Sequence, residues 1–64
     1  MSKILAIWCG SAADVTRNSN ALKIAHCLVS VTPDPEIKHA FWAFFCLDEA
    51  QYERVTAIRR LTWK

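Results

Sequence analysis

The chain has 64 residues, 53% of them apolar, with three tryptophans, three phenylalanines, one glycine and two prolines, and a formal charge of +2. That length holds one domain, residues 1–64, and the composition excludes disorder, collagen-like repeats and linker-rich arrays. The weak positive charge names no partner, but it does exclude an acidic mimic of nucleic acid.

The three cysteines, Cys9, Cys27 and Cys46, are odd in number and 18 and 19 positions apart. They form no Cys-x-x-Cys pair and predict neither a disulfide framework nor a zinc site. Each lies in an apolar stretch, where a free thiol behaves as a small hydrophobe. The run Ile4–Cys9 is too short for a signal peptide, and Ala40–Leu47 falls far below the ~18 apolar residues of a membrane span. A reducing cytoplasm is the expected compartment, with no membrane partner.

In chain order, Lys3–Cys9 is a short continuous apolar run closed by Gly10 and reads as a buried strand. Thr16–Asn20 is polar and reads as a break. For Asn20–Val31, advancing ~100° per residue gathers Ala21, Leu22, Ile24, Ala25, Leu28, Val29 and Val31 on one half of a helical wheel. That segment is expected to be an amphipathic helix, capped by Ser19 or Asn20 and stopped at Thr32 by Pro33. Thr32-Pro33-Asp34-Pro35 then splits the chain. Within Glu36–Leu47, the aromatic block Phe41-Trp42-Ala43-Phe44-Phe45 favours a pleated surface. As a helix it would be apolar nearly all round, so a strand is expected, with the proline pair in a turn. It would partner Lys3–Cys9, because an isolated strand is not viable. Asp48–Thr62 reads as a helix: Asp48 caps it, Gln51 completes a capping box, and Ala50, Val55, Ile58 and Leu61 form its apolar stripe. Acidic residues at its start and Arg59, Arg60 and Lys64 at its end complement the macrodipole. The expected fold is a small single-layer α+β domain of order strand-helix-strand-helix; the alternative is all-α, with three to four short helices. Its unpaired strand edges would invite another chain.

Signals for chemistry are thin. His26 and Cys27 are helix neighbours pointing ~100° apart, and His39 and Cys46 would lie on opposite faces of a strand. The Cys and His residues are scattered without metal-ligand spacing, and one glycine makes no phosphate cradle. The chain is therefore expected to be no enzyme and to need no cofactor or metal. The run Cys46–Val55 resembles the strand-to-first-helix junction of ribbon-helix-helix repressors. Their base-reading strand is polar, however, and here it is Phe-Trp-Ala-Phe-Phe. The resemblance implies a capped strand-helix junction and carries no DNA-reading residue.

Exposed apolar surface is the remaining signal. A domain this small buries only ~60% of its unfolded surface. Trp42 and Phe44 would lie on one face of their strand and Phe41 and Phe45 on the other, more than one helix layer can cover. Aromatics and arginine anchor interfaces, so Phe41, Trp42, Phe44, Arg59, Arg60 and Trp63 are the expected contact residues. The reading that follows is a non-enzymatic protein-binding module with a larger protein partner. By its size and lack of catalytic signals it would be an inhibitor or modulator of a cytoplasmic complex, of the phage or mobile-element kind. A homodimer would be a second way to cover the surface. The alternative function is nucleic-acid binding by the basic C-terminal helix, through Arg54, Arg59, Arg60 and Lys64 beside Trp63.

Overall fold

The computed structural model describes the backbone of residues 2–62 and the side chains through residue 59. The elements are β1 (Ser2–Cys9), α1 (Ala12–Ala21), a 3₁₀ turn (Ala25–Cys27), β2 (Leu28–Pro33), β3 (Phe41–Asp48) and α2 (Glu49–Thr62). The fold is α+β, with one more strand than strand-helix-strand-helix. The sheet order is β1-β3-β2. Both neighbours of β3 run antiparallel to it, with Ile4 opposite Cys46, Trp8 opposite Trp42 and Thr32 opposite Trp42. β1 and β2 are thus parallel to each other with β3 inserted between them, a split β-α-β unit.

The strand at Lys3–Cys9 and the aromatic strand pair directly. They do so because the β2–β3 hairpin turns the chain back before β3 enters the sheet, with residues 34–40 as the loop; Pro35 lies in this turn, while Pro33 ends β2 opposite Phe41.

The helix expected over Asn20–Val31 is a correction. The helix lies earlier, over Ala12–Ala21, and the polar run Thr16–Asn20 is part of it. Ser11 caps it, its Oγ accepting from Asp14 N at 3.2 Å. Ser11-Ala-Ala-Asp14 is a capping signature legible in the sequence. The buried Ser19 hydroxyl donates to Val15 O at 2.6 Å, so a polar residue sits in the core without an unmet donor. The helix ends in a Schellman motif: Lys23 N donates to Asn20 O and Ile24 N to Ser19 O, at 3.1 and 2.9 Å. Lys23 takes the left-handed position (φ 60°), and Ile24 turns fully into the core. From Leu28 onward Val29, Val31 and Thr32 are β-branched, and pairing with β3 satisfies a row of backbone groups that a helix would have left open on the sheet edge. The wheel arrangement of the apolar residues was real, but strand pairing outweighed it.

Side-chain alternation then builds the core. Leu5, Ile7 and Cys9 from β1 and Ala43, Phe45 and Leu47 from β3 point to one face. There they meet Val15 of α1, Ile24 and Val55 of α2, with Phe41 and Tyr52 packed beside them. Both helices therefore cover the same face. The shortest dimension, 18 Å, is what one sheet and one helical layer occupy at ~10 Å layer spacing. α2 opens with the expected capping box, Gln51 N donating to Asp48 Oδ1 (2.7 Å) and Asp48 N to Gln51 Oε1 (3.1 Å). Of its expected stripe, Val55 is buried and Ile58 half-buried, Ala50 is exposed, and the Leu61 side chain lies outside the described residues.

Candidate functional site: the open face of the sheet

Residues of the opposite parity face away from the helices. On β1 these are Ile4, Ala6 and Trp8, and on β3 Trp42, Phe44 and Cys46, with the exposed Ser2 and Asp48 pair at the end of the strands. Register places them in three rows: Ile4 with Cys46, Ala6 with Phe44 and Ser30, Trp8 with Trp42 and Thr32. An extra residue in β2, Val29, lets Ser30 fall opposite Phe44. Among the described residues no helix packs on this side: Ile4 is 60% and Trp42 36% exposed, with Ala6, Trp8, Phe44 and Cys46 half-buried. A half-solvated antiparallel sheet normally alternates apolar with polar residues. β3 instead reads Phe-Trp-Ala-Phe-Phe-Cys-Leu, the pattern of a strand buried on both faces.

Asp34, at the start of the β2–β3 loop, organises one end of this face. Its Oδ1 accepts from Glu36 N (2.8 Å) and Ile37 N (3.0 Å), which folds the loop. Its Oδ2 accepts from both indoles, Trp8 Nε1 and Trp42 Nε1, each at 3.1 Å. Hydrogen bonds from the Glu36 and Ile37 amides hold its carboxyl below the usual value of 3.8 against a desolvation that raises it, and the two indoles add lesser shifts downward. The two cross-strand tryptophans are thereby held in one orientation, with no unpaired N–H to offer a partner.

The expected contact residues separate. Trp42 and Phe44 lie on the open face as the strand alternation required, while Phe41 is half-buried on the helical side. Arg59 belongs to α2, in the layer on the other side of the sheet. Arg60 lies in α2 with its side chain outside the described residues, and Trp63 and Lys64 fall wholly outside them. Sequence reasoning missed Trp8, Asp34, Ile4 and Cys46 as members of the site. Asp34 between two prolines signals a turn, but nothing local says that its second oxygen meets residues 8 and 42.

No Lys or Arg among the described residues belongs to the open strand face. Lys3 lies over the Tyr52 ring at 4.9 Å, on the helical side. Arg17 pairs with Asp14 on α1, and Lys38 is in the loop. Two concavities are formed by described residues. A cleft of about 590 Å³ beside α2 is lined by Lys3, Glu49, Tyr52, Glu53, Thr56 and Ala57. An apolar groove of about 210 Å³ lies between α1 and the sheet, at Val15, Val31 and Phe41. Neither gathers a nucleophile with a base, and among the described residues no three His, Cys, Asp or Glu side chains converge as a metal site. Among the described residues, no helix is long and apolar enough to cross a membrane. Comparison with family models, with curated proteins and with solved structures finds no match for this chain.

Proposed function

We propose that the chain is a non-enzymatic protein-binding module whose working surface is the open sheet face, centred on Trp42 and Phe44 and extended by Ile4, Trp8 and Cys46. The observation that carries this reading is the aromatic strand β3, apolar on both faces but covered by helices on one. Aromatic side chains fixed in orientation lose little entropy on binding and are the residue type that dominates interface energies. The three cysteines are free thiols, which suits a reducing compartment such as the cytoplasm, where the module would modulate a larger protein assembly. Nucleic acid is the weaker occupant, because phosphate recognition draws on Lys and Arg and this face has neither among the described residues.

The test is affinity capture with the immobilised chain, followed by identification of bound proteins before and after nuclease treatment. A nuclease-resistant protein partner is expected, lost on Trp42→Ala/Phe44→Ala replacement with the fold retained by circular dichroism. A partner that stays bound to the double variant would overturn the assignment of the face.

A further inference from the structure

We infer that the open face closes against the same face of a second copy of this chain, and that Asp34 suits the face to this by holding both indole N–H groups within its own chain. The inference rests on the reading of this face as a binding surface and names its partner.

A polar group buried without a hydrogen bond costs far more than the bond contributes when made, so a surface that is to be buried dry must have its donors satisfied beforehand. Trp8 and Trp42 are the side chains on this face that carry N–H groups, and both donate to the one Asp34 oxygen. What remains pointing outward is ring surface, the Ile4 and Ala6 side chains and the Cys46 thiol, bordered by the Ser30 and Thr32 hydroxyls. An occupant must therefore be flat, apolar and uncharged, with no polar group that needs an answer from this side. The face itself meets these conditions over its aromatic rows; its carboxylates stand at the ends, Asp34 taken up by four N–H donors and Asp48 by the α2 capping box. Two sheets stack face to face ~10 Å apart, and a two-fold axis between them would place each aromatic row against its copy. Homodimer interfaces are more apolar than the general protein surface, and interface cores are enriched in Trp and Phe.

Size sets the strength. β1 and β3, eight residues long, and β2, six residues long, stand ~4.8 Å apart and make a face roughly 14 Å wide and about 20–26 Å long. Two such faces hide roughly 700 Å² if flat and more with side-chain relief, close to the ~1,000 Å² at which specific interfaces begin. The dimer is accordingly one that forms and dissociates with concentration.

Sedimentation equilibrium of the whole chain, across micromolar to millimolar concentrations, decides the matter. The mass is expected to rise from one chain to two. Ile4→Lys and Phe44→Lys hold it at one, and Asp34→Ala weakens association about tenfold or more by releasing two donors into the interface. Arg54→Glu, on the helical side, leaves the association unchanged. A single-chain mass at every concentration, or a dimer that survives both lysine variants, overturns the proposal. Because Ile4 is already mostly exposed, its variant keeps the fold. Amide and indole NMR signals of the unaltered chain provide a check that needs no variant. Concentration-dependent shifts on β1 and β3 support the face-to-face dimer, and shifts confined to α1 and α2 overturn it. A chain that stays single while Trp42→Ala abolishes capture of a different protein removes the second copy and leaves the binding reading standing.

Discussion

Lys23 holds a backbone conformation that glycine adopts without steric cost, and its place in the chain makes this consequential. At φ 60° it is the left-handed residue of the Schellman motif, and it lets Ile24 turn into the core. Lys23→Gly is expected to raise stability by about 0.5–1 kcal/mol, read as a higher urea midpoint at unchanged slope. Part of the relief is offset by the larger freedom of glycine in the unfolded chain. Asp34 acts through charge as well as shape. Its carboxyl is depressed in the folded chain, so its contribution is full above the ordinary value of 3.8 and is lost as pH falls through the lower native value. Thermal unfolding followed from neutral pH down to about 2 should therefore show a loss below pH 4 that is smaller in Asp34→Asn. An unchanged acid profile in that variant would mean that the carboxylate does not hold the loop and the indoles together.

At the scale of elements, caps and pairing choose between helix and strand more than apolar content does. α2 rests on the reciprocal Asp48–Gln51 box and on Val55, which is fully buried. Asp48→Ala is expected to cost about 1 kcal/mol in the urea midpoint, and Gln51→Ala less, since the aspartate satisfies a donor inside the first helical turn. β1 and β3 show the opposite dependence: each is short and stable only through the register that joins them. Central in that register, Phe45 is 0% exposed beneath both helices. Phe45→Ala removes ~3–5 kcal/mol, a large part of the ~3–10 kcal/mol that a chain of this length holds, and leaves it substantially unfolded by circular dichroism. Phe45→Leu should remain folded. The segment Leu28–Pro33 shows why periodicity alone misleads here. Its residues suit one half of a helix, yet Val29, Val31 and Thr32 also suit a strand, and a waiting edge on β3 settles the choice.

For the molecule as a whole, the two helices lie on one side of a three-stranded sheet, and the other side carries no helix among the described residues. Contact residues expected together in one patch are divided by this arrangement: Trp42 and Phe44 lie on the open face, Phe41 packs against the core, and Arg59 belongs to the helical layer. Several features were legible in the residues alone. The α+β class, both apolar strands, the turn at the proline pair and the capped C-terminal helix follow from alternation, aromatic content and cap spacing. These act over a few residues, so the sequence states them directly. The alternation of Phe41 and Phe45 against Trp42 and Phe44 was legible for the same reason. Ser11-x-x-Asp14 was equally local and would have placed the first helix correctly. What the residues alone did not decide was which face the helices cover, that β3 stands between β1 and β2, and that Asp34 grips Trp8 26 positions away. Those outcomes depend on how elements distant in the chain share one core and one set of backbone hydrogen bonds, which only the assembled fold determines.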